Sequence, residues 1–259
     1  MLNTLLQALV FIVGSVVLSL IGVVAVRRTV PLATQMEQNE VAGFFIAVLG
    51  VVYGVLLAFA VVVVWENYED ARTIAEKEAN SIGDLYRLAE GLQEPARSTI
   101  QQQTETYVRV ILIQEWPMLE QGRESADALV ELNTLWTVIR AYEPNGNRES
   151  ALYEKMLDEL QDLSDERRMR ILASREGIPP LIWTLLIGGE IVTVLFTYFF
   201  GLKNLRTQLA MTALYVAAIG FVLFLIAALD YPFDGAVRVE PHAMQLVLDR
   251  INLLENEQP

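Results

Sequence analysis

The most constraining feature of the sequence is an uninterrupted stretch from Val41 to Leu92. Its first 25 residues carry no formal charge, and that length is enough for a helix to cross a bilayer. The residues that follow contain no proline, and their apolar pattern changes from all-round to one-sided. The stretch therefore predicts one long helix whose first part lies in lipid and whose second part lies in water.

The membrane part of this helix has two different faces. Small residues recur every three or four positions and form a smooth strip that suits close helix packing in lipid; they are Gly43, Ala47, Gly50, Gly54 and Ala58. Bulky residues point the opposite way, and Val52, Leu56 and Phe59 follow one another about a turn apart. This bulky face either contacts lipid or forms a hydrophobic pore neck around the axis of an oligomer.

The aqueous part carries a heptad-like stripe, made of Tyr68, Ala71, Ala75, Glu78, Ile82, Leu85, Ala89 and Leu92. Such a stripe suits a partner helix, so together with the small-residue strip it predicts a homo-oligomer organised around this helix. Glu78 is a carboxylate on that apolar face. Because a buried charge is costly unless it is paired, we expect Glu78 to meet an arginine or a backbone donor. The alternative is that Glu78 lines an ion vestibule.

The rest of the chain is also helical in pattern. Three further apolar spans are predicted at Leu5–Val26, Leu181–Phe200 and Leu209–Leu229, and the first two spans are joined by a connection at Thr29–Glu40. Helices are expected at Arg97–Glu115, ending before Pro117, at Ser125–Tyr142, at Glu149–Arg175 and at His242–Leu254.

The predicted fold class is an all-α membrane protein with four transmembrane helices and an aqueous helical bundle between the second and third spans. Residues 1–65 would hold helices 1 and 2, residues 66–178 the aqueous domain, residues 179–229 helices 3 and 4, and residues 230–259 a C-terminal tail.

Glu190 is the only acidic residue inside the four apolar stretches, and Thr193 and Thr197 share its helix face. An ionisable group at that depth faces either protein or water. Two interpretations stay open: these side chains are polar residues of an ion path, or a neutral Glu190 is hydrogen-bonded across a helix interface.

Charge is concentrated in residues 66–176, which hold 23 Asp and Glu against 13 Lys and Arg in a chain of net charge −13. An acidic chain without basic patches does not suit nucleic acid. The chain has no cysteine and shows no nucleotide-binding loop, catalytic serine elbow or zinc-protease motif, so we expect neither an enzyme nor a cofactor nor a metal site.

Two charged runs within the helix at 149–175 have alternative interpretations. The acidic residues Glu154, Asp158, Asp162 and either Asp165 or Glu166 follow a spacing of three or four residues, which indicates a solvated acidic face rather than a cation site. Arg167, Arg168, Arg170 and Arg175 form a basic cluster, which either anchors the chain among lipid headgroups or concentrates anions at a pore mouth.

Two stretches resemble the bacterial bestrophin-like membrane proteins: YEDARTIAEKEANSIGDLYRLAEGL after the second span and LDYPFDGAVRVEP after the fourth. The family-like residues are Glu78, Ala79, Tyr86, Arg87, Asp230, Pro232, Phe233 and Gly235. That family is distantly similar to true bestrophins, which are pentameric anion channels with four membrane helices and a cytoplasmic helical domain. The resemblance implies a pore neck on the second span, five protomers and small anions as the permeating ions.

The first function hypothesis is passive anion movement along the axis of an oligomer in a bacterial inner membrane. The competing class is a non-conducting membrane scaffold or sensor whose helical domain binds a protein partner. The acidity of the aqueous domain counts against an anion path, and the arginine cluster counts for one.

The orientation signals conflict. Basic residues in the short loops (Arg27, Arg28, Lys203 and Arg206) would place the helical domain outside the cytoplasm. The resemblance implies a cytoplasmic domain, which is the orientation we expect.

Overall fold

The computed structural model describes the backbone of residues 2–235 and 237–256 and the side chains of residues 6–235 and 237–254. All regular elements in these ranges are helices. They are α1 (Leu2–Thr29), α2 (Leu32–Ala89), α3 (Ala96–Val110), a π-helical turn (Ile111–Glu115), α4 (Trp116–Leu119), α5 (Ala126–Arg140), α6 (Asn147–Arg175), α7 (Pro180–Thr197), α8 (Leu205–Leu229) and α9 (His242–Asn256). Four of the described helical segments are long and apolar enough to cross a membrane. The predicted all-α membrane class is therefore confirmed.

The chain divides into two compact units, and the division falls inside α2. Met1–Glu66 and Gly177–Asp230 form the first, which we call the membrane unit; Asn67–Glu176 and Tyr231–Pro259 form the second, which we call the aqueous unit. The aqueous unit is therefore built from two separate pieces of sequence. Its second piece is the segment that the sequence suggested was a tail.

The connection expected at Thr29–Glu40 was wrong, because α1 runs to Thr29 and α2 begins at Leu32. Only Val30 and Pro31 separate them. The residues after Pro31 are mostly good helix formers, so the long helix begins about nine residues earlier than the charge-free stretch. The result is a single α2 of 58 residues.

Close backbone approaches hold the membrane unit together. A Cβ atom added to Gly220 of α8 would lie 3.3 Å from Cγ1 of Ile12 in α1. Between α2 and α7, the Tyr53 hydroxyl donates to the carbonyl of Leu186 at 2.9 Å, and a Cβ atom on Gly189 would lie 2.5 Å from the Tyr53 ring. No side chain fits at Gly189 without moving the ring, which explains why a glycine lies there.

The aqueous unit has a continuous apolar core. The heptad-like stripe of α2 lies in that core, with Ala71, Ile82, Leu85 and Ala89 fully buried by the chain itself. The expectation that this stripe awaits a helix from another copy was therefore wrong, because α3, α5, α6 and α9 supply the packing.

The segment after α8 completes the same core. The Phe233 ring packs edge-on against Trp116 with centroids 5.7 Å apart, and the Trp116 indole N–H donates to the Val239 carbonyl at 3.3 Å. The Val239 N–H in turn donates to the Pro232 carbonyl at 2.8 Å. These contacts bring Phe233 and Val239 onto Trp116 of α4, which lies more than 100 positions earlier in the chain.

The helix predicted to end before Pro117 continues to Leu119. The π-helical turn at Ile111–Glu115 precedes the proline, and the Trp116 N–H bonds to the Ile111 carbonyl, five residues back. A proline inside an α-helix clashes with the carbonyl four residues earlier. The wider π turn relieves that clash, so the chain passes Pro117 without a break.

Candidate pore-lining helix and a buried charge network

The small-residue strip of α2 has open space beside it. A Cβ atom on Gly50 or Gly54 would meet nothing within 4 Å, and one on Gly43 would only touch the Phe200 ring at 3.9 Å. Ala47 and Ala58 are exposed. Among the residues described, then, no helix of the same chain packs along the middle of this strip.

The expected neck residues also point away from the rest of the chain. Val52 is 64% exposed and Phe59 is 67% exposed, while Leu56 is partly covered. The side of α2 that the chain does bury consists of Tyr53, Leu57, Ala60 and Val64. At about 100° per residue, the bulky face and the small strip flank this buried side on its two edges.

A third exposed face of α2 was missed by the sequence reasoning. Val51, Val55 and Val62 are at least half exposed and lie opposite the buried side of the helix. The sequence contrasts small residues with bulky ones, but it does not say which face the chain itself covers. The position of Tyr53 could have indicated this ridge. A tyrosine hydroxyl needs a partner inside the protein, so Tyr53 marks the covered side of the helix, and the valines lie on the opposite side.

The structure brings Glu190, Thr193 and Thr197 onto one face of α7, but none of their side chains bonds to another of the three side chains. The Thr193 hydroxyl lies 2.9 Å from the carbonyls of Gly189 and Glu190, and Thr197 donates to the Val194 carbonyl at 2.6 Å. Both hydroxyls are thus satisfied by their own helix. Glu190 is partly buried and forms no ion pair with any described residue. The two interpretations of this acid both remain.

A buried network of four charged residues lies at the centre of the aqueous unit. Arg170 Nη2 donates to Glu78 Oε1 at 3.0 Å and to Glu115 Oε1 at 2.7 Å, and Arg170 Nε donates to Glu78 Oε2. Arg167 donates to both oxygens of Glu115, at 3.2 and 2.5 Å. Two carboxylates thus balance two guanidinium groups, and none of the four is appreciably exposed.

The surroundings of this network fix its charge state. Burial raises the pKa of Tyr107 well above its usual value, so its hydroxyl stays protonated beside Glu78, 3.5 Å away. Burial alone would raise the pKa of Glu115, but Arg170 and Arg167 outweigh it and hold that pKa below its usual range. Arg170 also lies over the Trp116 ring, 5.2 Å from its centroid. The network is therefore a set of buried ion pairs that joins α2, the π-helical turn and α6.

The network answers two questions raised by the sequence. The expectation that Glu78 meets an arginine is confirmed by Arg170. A carboxylate with 0% exposure cannot line a water-filled vestibule, so the structural role accounts for Glu78.

The basic cluster expected at Arg167–Arg175 does not exist as a surface. Arg167 and Arg170 are spaced three apart and face the core, whereas Arg168 is exposed and pairs with Asp165. Arg175 donates to the Gly122 carbonyl at 2.8 Å. Neither the headgroup anchor nor the pore-mouth cluster describes these residues.

The family-like residues have structural roles. Asp230 accepts hydrogen bonds from the Ile178 N–H at 2.7 Å and from the Trp183 indole at 2.9 Å, so it holds the start of α7. Pro232 and Phe233 are buried, and Gly235 has a φ of +80°, which favours glycine. On α2, Ala79 and Tyr86 are buried, and the exposed Arg87 pairs with Asp84.

Metal-ligating side chains do not converge in the described parts of the chain, where no group of three or more His, Cys, Asp or Glu is placed to hold an ion. The four-residue network joins its carboxylates to guanidinium groups instead, so its oxygens are already occupied.

Comparison with known proteins gives a clear relationship. A family model described as the Bestrophin-like domain matches residues 13–244. A bacterial bestrophin homologue from Klebsiella pneumoniae has a solved structure with 14% identity and a TM-score of 0.69, and the match covers 96% of this chain and 100% of that one. A variant of that Klebsiella pneumoniae homologue with one substitution matches at 15% identity and a TM-score of 0.66, over 95% and 99% of the two chains.

A third solved structure, described only as a membrane protein, matches at 15% identity and a TM-score of 0.69, again over 95% and 99% of the two chains. No curated protein matches the sequence. At these identities the structural matches show a shared fold, while the family model covers nearly the whole chain. The four apolar helices and this relationship indicate a bacterial membrane location. The chain therefore belongs to the bestrophin-like family.

Proposed function

We propose that the protein is an oligomeric channel that conducts small anions passively across a bacterial inner membrane. The observation that carries the proposal is that the membrane part of α2 leaves its small strip and its bulky face open, while the apolar stripe of the aqueous part is packed by its own chain. Family membership supports conduction and supports a ring of subunits. Of the four predicted segments, 1–65, 66–178, 179–229 and 230–259, the ion path lies in 1–65 and 179–229, which contain the membrane helices.

The proposed pore uses the two open faces of α2 differently. The strip around Gly50 and Gly54 admits a close helix neighbour, because no side chain fills the space beside it. The bulky residues Val52, Leu56 and Phe59 then form stacked rings around the oligomer axis. Narrow rings of apolar side chains exclude water, so they make a barrier that carries no charge.

Selectivity for anions and a stoichiometry of five rest on the family relationship alone. The arginine cluster that the sequence offered in support of anions is buried in ion pairs, and the aqueous unit is strongly acidic. We propose a cytoplasmic position for the aqueous unit on the same ground. Glu190, with Thr193 and Thr197, stays the candidate polar element of the path.

The experiment that tests the proposal is ion flux in liposomes that contain the purified protein. We expect chloride to pass, and gluconate to pass much more slowly, with no energy source added. Full-length protein that is oligomeric but passes neither chloride nor potassium would overturn the channel and favour the scaffold or sensor class.

A triple substitution tests the neck. We expect Val52→Ala, Leu56→Ala and Phe59→Ala together to raise chloride flux several-fold, because smaller rings no longer exclude water. The matched control replaces Val51, Val55 and Val62 by Ala, which removes exposed apolar bulk from the same helix on another face. If only the control variant raises flux, the valine ridge rather than the bulky face lies on the axis.

A further inference from the structure

Basic residues from two distant parts of the chain meet at one end of the membrane unit. They lie in the last turn of α1 or around the start of α8, and they are Arg27, Arg28, Lys203 and Arg206. Arg27 joins the two parts, because its Nη2 donates to the Lys203 carbonyl at 3.2 Å and its Nη1 donates to Gln208 Oε1 at 2.7 Å. The Asn39 side chain of α2 bonds to both the N–H and the carbonyl of Gly201, each at 2.9 Å. We call this place the short-loop end, because the α1–α2 and α7–α8 connections meet there.

The positive charge of the short-loop end is not compensated by the described chain. Both acceptors of Arg27 are neutral, and Gln208, which is 3% exposed, is itself fixed by a 2.6 Å bond from its Nε2 to the Phe200 carbonyl. A guanidinium group has more N–H donors than these two bonds use. The other three basic side chains are exposed, and none of the four belongs to an ion pair among the described residues. A positioned arginine and three solvent-facing cations thus remain available to an anion.

The acidic residues of this region, Glu37 and Glu40, face away from the basic ones. Gln35 and Asn39 mark the side of α2 that packs on the α7–α8 connection, because their side chains donate to backbone carbonyls there. At about 100° per residue, Glu37 lies on the opposite side of the helix, and Glu40 lies about 120° from the packed side. Four basic side chains against two acidic ones also leave this end positive when both acids are counted.

The short-loop end lies at the depth of lipid headgroups, because the apolar spans end there. Arg27 directly follows the apolar run of α1, and Arg206 lies shortly before the apolar run of α8. An uncovered apolar strip continues from Arg206 along α8, where Leu214 and Phe221 are 73% and 63% exposed and lie within about 80° of Arg206 around the helix. Basic residues at span ends attract anionic headgroups, and exposed apolar side chains suit acyl chains. Charge and apolar strip together fit a phospholipid better than a soluble anion.

We propose that the short-loop end binds the headgroup phosphate of an anionic phospholipid, whose acyl chains lie along the exposed strip of α8. Arg28, Lys203 and Arg206 supply the exposed positive charges, and Arg27 is held in place by Gln208. The bound lipid bridges the end of α1 and the start of α8. This site requires neither conduction nor a particular number of subunits.

Native mass spectrometry of the purified full-length protein in detergent tests the site. Phosphatidylglycerol is the anionic probe, and phosphatidylcholine, whose headgroup has no net charge, is the matched neutral probe. We expect phosphatidylglycerol to bind about ten-fold more tightly, because several cations act on one negative headgroup. Equal binding of the two lipids would overturn the proposal.

Single substitutions assign the site to these residues. Arg28→Ala, Lys203→Ala and Arg206→Ala should each weaken phosphatidylglycerol binding roughly five-fold, as expected for one basic residue near an anionic headgroup. Arg206→Lys keeps the charge and should bind like the natural chain, so it separates loss of charge from a change in folding. The matched control Arg250→Ala removes an exposed arginine of α9 in the aqueous unit and should change nothing. Alanine variants that all bind phosphatidylglycerol as tightly as the natural chain would contradict the assignment.

Competition separates a lipid from a soluble phosphate. Glycerol 3-phosphate carries a phosphate on the same glycerol unit but has no acyl chains, so at equal concentration it should leave bound phosphatidylglycerol in place. Displacement by glycerol 3-phosphate would show a site for soluble phosphates and would overturn the lipid assignment. Ion flux is not measured here, so a protein that binds phosphatidylglycerol but conducts no ion would support this site and contradict the proposed function.

Discussion

The two halves of α2 differ in how much of their apolar surface the chain itself buries, because one half lies in water and the other in lipid. The aqueous half buries its whole apolar stripe in the core of its own chain, whereas the membrane half buries only the side that carries Tyr53 and Leu57. In water, exposed apolar surface is costly, so the chain must cover it. In lipid there is no such cost, and close packing decides which helices associate. The open faces of the membrane half are therefore stable in lipid and also available to other copies.

The acidic residues of the two units show the same contrast. Glu78 is fully buried and bonded to Arg170, so its charge is compensated inside the chain. Glu190 is partly buried and has no ion-pair partner among the described residues. The buried charge network of the aqueous unit is therefore balanced within the chain. Glu190 is thus an acid inside an apolar span that the described chain leaves without an opposite charge.

The largest effect on stability should come from removing one partner of the buried ion pair between Glu78 and Arg170. Arg170→Leu leaves Glu78 buried without a cation, and we expect it to lower the free energy of unfolding by about 3–5 kcal/mol. Urea unfolding in detergent, followed by circular dichroism, measures the loss. Arg168→Leu is the matched control: it removes an exposed arginine of the same helix, and its ion pair is worth about 1 kcal/mol or less.

A double variant separates charge from packing. Glu78→Leu combined with Arg170→Leu removes both partners and leaves Arg167 paired with Glu115, so most of the lost stability should return. If the double variant is as unstable as Arg170→Leu alone, the ion pair is not the source of the loss.

The next effect concerns the open strip of the membrane half. Gly54→Leu places a side chain where the single chain leaves open space, so the fold should tolerate it while association between copies weakens by about 1–2 kcal/mol. Mass measurements over a range of detergent concentrations detect the change. Val48→Leu, an exposed position off the strip, should leave assembly unchanged. Equal behaviour of the two variants would show that the strip faces lipid.

Substitution of Glu190 sharpens the contrast between the two acids. If the acid is a neutral hydrogen bonder, Glu190→Gln should preserve assembly and flux, and Glu190→Leu should weaken association by about 1 kcal/mol. Analytical ultracentrifugation and chloride flux on the same samples measure both properties. A changed ratio of anion to cation permeability in an intact Glu190→Gln oligomer would instead assign Glu190 to the ion path.

The smallest effect should be a pH dependence of the aqueous unit through Glu166. Burial raises the pKa of Glu166 to about 7; the Ser81 hydroxyl opposes the rise, Asp162 and Glu78 add to it, and Lys77 opposes it. The folded chain therefore holds a proton that the unfolded chain releases near pH 4.5. The free energy of unfolding should fall as pH rises through this window and level off above about pH 7. Glu166→Gln should flatten that decline, and Glu154→Gln at an exposed position of the same helix should not.

The sequence predicted the fold well because each helix carries its own signal. The charge-free stretch of α2 and its one-sided continuation are local patterns, and both appear in the structure as one helix. The break between α2 and α3, which falls three residues earlier than the predicted end at Leu92, and the long α6 were likewise visible in the positions of proline and glycine. Local chemistry was sufficient for these elements.

The candidate site depended on long-range contacts that no local pattern contains. Glu78 and Arg170 are 92 positions apart, so the sequence indicated that Glu78 needs an arginine or a backbone donor without identifying which residue supplies it. The four arginines after Glu166 appeared to be one cluster, but the helical period turns two of them inward. Pro117 failed as a stop signal because a π turn, which has no reliable sequence signature, absorbs it.

The division of the aqueous unit into two sequence segments has a consequence for biosynthesis. Trp116, which stacks on Arg170, receives Phe233 and Val239 from the segment that follows α8. During translation, residues 67–176 leave the ribosome well before these partners exist, and both α7 and α8 must be made in between. Until Phe233 and Val239 are made, the nascent aqueous unit lacks part of its core. Chains that expose apolar surface in this way are prone to aggregation and to capture by chaperones. The core of the aqueous unit is therefore completed only after α7 and α8 have been made.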